Sequence, residues 1–113
     1  MTSCRDSVAV VLPAEDALQS FADGATEDVY QGAASKRARG LPQDIWPLIR
    51  RKLSMLNAST QIEQMRSPPG NRLEALRGAQ RGRWSVRVND QWRITFRWDG
   101  GHAYEVRCED YHA

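Results

Sequence analysis

The sequence predicts a single α+β domain in which an antiparallel β-sheet packs against N-terminal helices. Apolar residues recur at helical spacing within residues 42–57, whereas from Arg72 onward apolar and polar residues alternate with a period of two. The chain has 113 residues, enough for one small core but too few for two. Its 41% hydrophobic and 27% charged residues are typical of a folded domain. We therefore expect one domain with one functional site.

Two short elements are predicted first. Residues 18–22, which are Leu-Gln-Ser-Phe-Ala, are expected to form a strand. Residues 26–30 are expected to form a short helix that ends near Gly32, because glycine commonly follows the last turn of a helix.

The clearest predicted helix lies within residues 42–57. Its apolar face consists of Ile45, Leu48, Ile49, Leu53 and Leu56. Residues 50–52, which are all basic, occupy much of the remaining surface. Pro47 must lie in the first turn or kink the helix. A capping-box pattern at residues 60–63 predicts one more short turn before Pro68.

Three antiparallel strands are predicted in the C-terminal half. Residues 84–88, 92–98 and 104–108 each alternate between apolar and polar side chains, as half-buried strands do. Because residues that oppose each other across a sheet share a face, the apolar rows align only if each connection has an odd number of residues. We therefore interpret residues 89–91 and 99–101 as three-residue loops.

The net charge is only +2, but its sign is sorted along the chain. Residues 1–35 contain one Arg and six acidic residues, whereas residues 66–97 contain eight Arg, no Lys and only Glu74 and Asp90 as acids. The guanidinium group offers a planar fork suited to phosphate oxygens, so an anionic polymer is a reasonable partner. A basic surface that is merely solvated is the alternative.

The predicted register places three Arg side chains in a row on the face away from the tryptophan-rich core. Arg93 is expected opposite Arg87 on one side and opposite Arg107 on the other. Like charges that oppose each other across strands destabilise a sheet. The row is therefore either relieved by nearby carboxylates such as Glu105 or arranged to receive an anion, and we favour the anion.

Three segments of the sequence are similar to those of a known family. They are Asn-Arg-Leu-Glu-Ala-Leu-Arg-Gly at residues 71–78, Trp-Arg-Ile-Thr-Phe at residues 92–96 and Glu-Asp-Tyr-His at residues 109–112. With the short helical half before them, they make the chain from about Gln19 to His112 resemble the HigB branch of the RelE/ParE superfamily of toxins. The resemblance implies a small RelE-like fold and ribosome-dependent endoribonuclease activity against mRNA, with no metal or cofactor. It also implies a HigA-like antitoxin as inhibitor.

The chain's last residues carry the predicted acid–base chemistry. Cleavage of RNA without a metal needs a base for the ribose 2′-hydroxyl, cations for the phosphate and an acid for the leaving 5′-oxygen. By the resemblance, Asp110, Tyr111 and His112 are active-site positions. The ordinary pKa of an imidazole such as that of His112 suits proton transfer near neutrality. Tyr111 is expected to stack on a base or bond the phosphate, and Asp110 to orient His112 or hold an Arg.

The resemblance also gives roles to several Arg side chains. Arg77 stands where the family often has Lys, and Arg77 and Arg93 are expected to neutralise the scissile phosphate. Further contacts with RNA phosphates are expected from Arg72, Arg87 and Arg107.

The identity of the general base stays open between Glu74 and His112. Glu74 stands where some family members have a His that takes part in acid–base chemistry. A carboxylate serves as a base near neutrality only where burial or neighbours disfavour its charged form, and the adjacent Arg72 and Arg77 act in the other direction. A salt bridge between Glu74 and an Arg is the alternative.

A rival function of another class is a ParE-like inhibitor of a topoisomerase, or a module that only binds RNA. The tail formed by Asp110, Tyr111 and His112 discriminates between the classes. A pure binding module does not need a titratable group beside a cluster of Arg side chains.

Residues 1–17 precede the resemblance, which makes residues 18–113 the expected toxin domain. The apolar run at residues 8–12 is either an additional strand or part of a segment upstream of the true start codon. The run is too short to span a bilayer and lacks a signal-peptide pattern, which favours a cytoplasmic protein without membrane contact. Cys4 and Cys108 lack C-x-x-C spacing, so the sequence predicts neither a zinc site nor a disulfide framework, and both thiols are expected to be buried or idle.

Overall fold

Two helices precede a four-stranded antiparallel sheet in residues 17–110, the part of the chain that the computed structural model describes. The helices are α1 (Gly24–Gln31) and α2 (Trp46–Asn57). The strands are β1 (Glu74–Ala75), β2 (Arg83–Arg87), β3 (Trp92–Asp99) and β4 (His102–Asp110), in the spatial order β1-β2-β3-β4. The predicted α+β class is confirmed. None of the described helices is long and apolar enough to cross a membrane.

Helix α1 begins and ends where its sequence provides caps. The Asp23 carboxylate accepts a hydrogen bond from the backbone N–H of Thr26 at 2.8 Å. Gly32 follows the helix in the left-handed conformation, with φ 80°. The helix predicted at residues 26–30 is confirmed, and the cap at Asp23 lets it begin at Gly24.

Helix α2 packs one apolar face onto the sheet. Ile49, Leu53 and Leu56 are at most 1% exposed. Pro47 lies in the first turn, where its missing N–H is not needed. The predicted helix is confirmed, with a separate 3₁₀ turn at Gln43–Ile45 ahead of it.

Lys52 is the exception on this helix. Residues 50–52 are predicted to occupy the outer surface, and this is wrong for Lys52, which is only 8% exposed. It lies three residues after Ile49 and four before Leu56, so helical geometry places it on the buried face. The spacing alone contained this signal.

Residues 17–22 run beside β4 but do not form the predicted regular strand. Two isolated parallel bridges join Leu18 to Ala103 and Phe21 to Val106. The backbone N–H of Gln19 donates to the Ala103 carbonyl at 2.9 Å. A regular parallel ladder repeats every second residue, whereas these bridges are three residues apart because β4 is irregular between them.

The connection between β2 and β3 has the predicted length. Arg87 pairs with Arg93, and the backbone N–H of Val88 donates to the Trp92 carbonyl at 2.9 Å. Residues 89–91 therefore form a three-residue loop. The Asn89 side-chain carbonyl stabilises it by accepting from the backbone N–H of Trp92 at 2.8 Å.

The connection between β3 and β4 is shorter than predicted. Asp99 pairs with His102, so residues 99–101 are not a three-residue loop and the turn consists of Gly100 and Gly101 alone. Both glycines have positive φ, 60° and 85°. A two-residue type I′ turn requires this geometry, which glycine adopts without steric cost.

A bulge in β4 compensates for the short turn. Thr95 pairs with Arg107 and Arg97 with Tyr104, so residues 105 and 106 together oppose Phe96. Glu105 takes up the extra length with φ 55°. The two-residue turn by itself would move the apolar rows of β3 and β4 to opposite faces, and the added residue returns them to the same face.

The bulge changes which side chains oppose each other beyond it. Arg93 pairs with Glu109, and Arg107 pairs with Thr95. The predicted Arg87–Arg93 pairing is confirmed, whereas the predicted Arg93–Arg107 pairing is wrong by two residues. An acidic residue thus occupies the place at which a third Arg is expected.

The chain between α2 and β2 differs from the prediction in two features. The short turn lies at Ile62–Arg66, one residue later than predicted, because Gln61 and Gln64 form the capping box. Strand β1 is not predicted, since two paired residues are too few to show an alternating pattern.

The core lies between α2 and the sheet. Val86, Ile94, Phe96 and Val106 are at most 1% exposed and belong to one cluster with the apolar face of α2. Cys108 is part of this cluster, and burial raises the pKa of its thiol to about 12. The predicted idle thiol is confirmed for Cys108, while Cys4 lies outside the described residues.

Candidate functional site

Five Arg side chains project from the face of the sheet opposite the core. Strand alternation separates them from the buried residues of the same strands, since neighbouring side chains point to opposite faces. We call this surface the arginine face; its guanidinium groups belong to Arg83, Arg87, Arg93, Arg97 and Arg107. It is the strongest concentration of one charge type on the sheet, although carboxylates lie among the guanidinium groups.

Glu109 is the most connected of these carboxylates. It accepts a hydrogen bond from the Thr95 hydroxyl at 2.6 Å and lies 3.3 Å from Arg107 Nε and 3.8 Å from an Arg93 terminal nitrogen. Its side chain is 17% exposed. Burial acts to raise the pKa of Glu109, but the Thr95 hydrogen bond and the charges of Arg107 and Arg93 outweigh it and lower that pKa. Glu109 is therefore an anion at neutral pH.

Arg83 reaches across β3 to the bulge in β4. One terminal nitrogen donates to the Glu105 backbone carbonyl at 2.9 Å and to the Thr95 hydroxyl at 3.2 Å. The other lies 3.4 Å from the Glu105 carboxylate. Burial lowers the pKa of Arg83, but a guanidinium stays charged at any physiological pH. Arg83 thus links the bulge to the Thr95–Glu109 pair.

The remaining Arg side chains of this face also have acidic neighbours. Arg87 binds the Asp90 carboxylate, and Arg97 lies 3.7 Å from Glu105. The guanidinium of Arg97 also lies 4.6 Å from the centre of the Tyr104 ring, within cation–π distance. The carboxylates that could relieve the row of like charges are therefore present among residues 17–110, and binding of an anion by the row stays a prediction. Arg107 and Arg97 still keep 48% and 43% of their side-chain surface exposed.

A groove of about 520 Å³ opens on the arginine face beside residues 17–22. It combines guanidinium donors, carboxylate acceptors and one aromatic ring, a mixture that suits a polar, flat-faced ligand. Its walls are formed by Phe21, Ala22, Gln80, Arg83, Glu105, Arg107 and Glu109.

Glu74 and Arg77 lie at a second groove, at the β1 edge of the sheet. This groove has a volume of about 570 Å³ and is also lined by Arg66 and Trp84. Glu74 pairs with Ser85 in β2 and is exposed. Among residues 17–110, no Arg lies within salt-bridge distance of the Glu74 carboxylate, so the alternative of a structural salt bridge is not observed there.

Arg72 lies just ahead of β1, exposed and in the left-handed conformation with φ 46°. Arg77 follows β1 and precedes a 3₁₀ turn at Gly78–Gln80. The structure therefore brings Arg72, Glu74 and Arg77 together on one short segment. Arg87, Arg93 and Arg107 lie on β2, β3 and β4, respectively.

The predicted tail is described only up to Asp110. This residue pairs with Trp92, on the side of β4 opposite Glu109, and its carboxylate accepts from the Gln91 side-chain amide at 2.9 Å. Tyr111 and His112 lie outside the described residues, so their roles stay predictions.

Three residues of the arginine face are not singled out by the sequence patterns. Glu109 and Arg83 hold the polar network together, and His102 packs edge-on to Tyr104 with ring centres 6.4 Å apart. Alternation in β4 gives the signal for Glu109, because it follows the buried Cys108. Within residues 17–110, no group of three or more His, Cys, Asp or Glu side chains is arranged to hold a metal ion.

Comparison with known families decides what kind of protein carries this site. Residues 19–112 match the family described as HigB-like toxin, a RelE-like toxin of type II toxin–antitoxin system HigB. The chain belongs to this family. As toxins of type II systems, HigB family members have an antitoxin as partner.

Two relatives with HigB names align with this chain over most of their length. Toxin HigB-1 of Vibrio cholerae serotype O1 is 41% identical over 83 residues, which are 74% of this chain and 85% of that protein. Endoribonuclease HigB of Proteus vulgaris is 34% identical over 73 residues, which are 65% of this chain and 78% of that protein. The resemblance inferred from the short segments is thus confirmed at the level of the family.

Proposed function

We propose that this HigB family toxin is a ribosome-dependent endoribonuclease that cleaves translated mRNA in the cytoplasm and thereby stops growth. The observation that carries the proposal is the family match over residues 19–112, together with 34% identity to a protein named Endoribonuclease HigB. The arginine face supports it, because guanidinium groups suit RNA phosphates.

The Arg side chains bind and neutralise the RNA backbone. Arg77 and Arg93 stabilise the charge that develops on the scissile phosphate, while phosphates on either side are bound by Arg72, Arg87 and Arg107. Carboxylates such as Glu109 keep the guanidinium groups oriented before RNA arrives, which limits the reorganisation needed on binding.

Proton transfer is carried by few groups. Two routes balance the proton. Either Glu74 takes the proton of the 2′-hydroxyl while protonated His112 gives one to the leaving 5′-oxygen, or neutral His112 takes the proton and passes it on to that oxygen. Asp110 orients His112, and Tyr111 stacks on a base. No metal or cofactor takes part. A site with so few groups suits an enzyme whose substrate is oriented by the ribosome.

Residues 18–113 constitute the toxin domain in this proposal, and residues 1–17 are an extension outside the family match. The antitoxin is HigA-like. Co-expression of a cognate HigA-like antitoxin is expected to restore growth.

The test compares the two His residues of the chain. Wild type, His112→Ala and His102→Ala are expressed from a tightly repressed promoter, and new mRNA 5′ ends are mapped during induction. Wild type and His102→Ala are expected to arrest growth and cut within translated frames, whereas His112→Ala loses both effects. His102 is the matched control because it is the other imidazole of the chain and has no role in the proposed chemistry.

The rival of another class, a ParE-like inhibitor of a topoisomerase, predicts a different result. Growth arrest that persists in His112→Ala without new mRNA ends would contradict the nuclease. The search would then move to topoisomerases.

A further inference from the structure

Lys52 is a buried cation without an acidic partner among residues 17–110. It is 8% exposed, and its ammonium donates to the side-chain carbonyl of Asn71. Burial lowers the pKa of Lys52, and the charges of Arg51 and Arg87 lower it further. Burying an amine in this way has a desolvation cost, which the hydrogen bond to Asn71 offsets in part.

Asn71, which receives this hydrogen bond, is the anchor of a loop. It is 0% exposed, and its side-chain amide donates to the backbone carbonyls of Met65 at 3.0 Å and Ser67 at 3.3 Å. The side chain therefore uses both its acceptor and its donors. Lys52 joins the loop to α2, the helix that packs on the sheet.

The chain that follows Asn71 leads directly to the β1 edge of the sheet. Arg72 adopts a left-handed conformation, and β1 then makes only two residue pairs with β2 at the edge of the sheet. A further backbone hydrogen bond joins Leu76 to the Arg83 carbonyl at 2.8 Å. An edge strand of two residues holds its own position only weakly. The position of residues 72–77 therefore also depends on how firmly the segment is held at its start.

We propose that the Lys52–Asn71 hydrogen bond positions the segment of residues 72–77 and, through it, the RNA-contacting side chains Arg72, Glu74 and Arg77. The inference rests on the proposed function. Lys52 is a positioning residue, since it is buried and touches Asn71, whereas the three side chains that it positions are exposed. An aliphatic residue would fill the same space on α2 but would leave the Asn71 carbonyl without its donor.

The chain offers a matched control, because it contains only two lysines, Lys36 and Lys52. Lys36 is exposed, so Lys36→Met removes the same charge without touching the loop. Lys52→Met removes the donor and the charge together. Lys52→Gln removes the charge but keeps an N–H donor that can reach towards Asn71.

The experiment measures cleavage of mRNA bound to purified ribosomes, with the full-length toxin in excess and its concentration varied. Each variant gives a maximal rate and a half-saturating toxin concentration, at a temperature where circular dichroism shows it folded. Lys52→Met is expected to lower the maximal rate about tenfold or more and to change the half-saturating concentration less than about twofold, since misplaced groups slow the chemical step. Lys52→Gln is expected to have a maximal rate between those of Lys52→Met and wild type. Lys36→Met is expected to have the wild-type rate.

Three results would overturn the proposal. A maximal rate of Lys52→Met equal to that of Lys36→Met would show that the hydrogen bond does not affect the site. An unchanged maximal rate with a raised half-saturating concentration would show that Lys52 affects only the amount of folded toxin. If Lys52→Gln were as slow as Lys52→Met, the donor would not be the feature that matters. Wild-type toxin that does not cut at all would overturn the proposed function itself, and this inference with it.

Discussion

Glu109 illustrates how one side chain can organise a charged surface. Its carboxylate lies between Arg93 and Arg107, and it accepts from the buried hydroxyl of Thr95. Without Glu109, the two guanidinium groups would repel each other. The carboxylate between them attracts both and so offsets that repulsion. Its neighbour Asp110, which the resemblance to the family indicates as a site residue, lies on the other side of the strand.

Replacing Glu109 by Gln is expected to lower the free energy of unfolding near neutral pH by about 1 kcal/mol, because charge-assisted hydrogen bonds are lost at a partly screened site. The pKa of Glu109 is lowered in the folded protein, so the unfolded chain binds the proton more readily. Its contribution is therefore present above the ordinary pKa of a Glu and is lost as pH falls through the lowered value. Urea unfolding at about pH 7 and at about pH 3 measures the difference.

Glu63→Gln is the control for this measurement, since Glu63 is exposed and has no ion pair among residues 17–110. The stability gap between wild type and Glu109→Gln should narrow at the acidic pH. A gap that stays constant would contradict the assignment of a lowered pKa to Glu109.

At the scale of elements, the β3–β4 hairpin shows two departures from regularity that correct each other. Gly100 and Gly101 permit a turn of two residues, and the bulge at Glu105 restores the shared face of the strands. The alternating pattern of the strands predicts that opposed residues on β3 and β4 keep the apolar rows on one face. This condition is met both by a three-residue loop and by a two-residue turn followed by a bulge. The pattern therefore predicts Arg93 as the partner of Arg107, whereas the partner is Thr95.

Gly100→Ala is expected to destabilise the hairpin by about 1 to 2 kcal/mol, because a side chain in the left-handed region is strained. Nothing within 4 Å would touch the added methyl group, so the cost arises from the backbone alone. Thermal unfolding measures the change. Gly40→Ala adds a methyl group in equally open space but without a positive φ and should leave the melting temperature nearly unchanged. Equal changes in melting temperature for the two substitutions would contradict a cost that arises from backbone conformation.

For the molecule as a whole, the α+β class, helix α2 and the arginine face could be predicted from the sequence. Each depends on the periodic spacing of apolar and polar residues. Residues that depend on a single turn or contact were not. The buried Lys52 has the spacing of a core residue, but its partner Asn71 lies in a loop without periodicity. The division of the predicted site residues between the β1 edge and strands β2 to β4 likewise depends on a two-residue strand.

The arginine face should give RNA binding a strong dependence on salt. Binding of a single-stranded RNA oligonucleotide is measured by fluorescence anisotropy over a series of salt concentrations. Loss of one phosphate contact in Arg107→Gln is expected to reduce the slope of log affinity against log salt by about 0.7. Arg39→Gln removes the same charge from an exposed turn outside the sheet and should leave the slope unchanged. Equal slopes for Arg107→Gln and wild type would argue against a phosphate contact at Arg107.

The way residues 17–22 lie along β4 has a consequence for how copies of the chain behave at high concentration. A strand at the margin of a sheet exposes unpaired N–H and C=O groups, which can template growth by another molecule. Here the Ala103 and Val106 carbonyls on one margin already accept from Gln19 and Ala22. On the other margin β1 offers only two residues. Both margins are thus poor templates for intermolecular β-pairing, which protects a small sheet from aggregation.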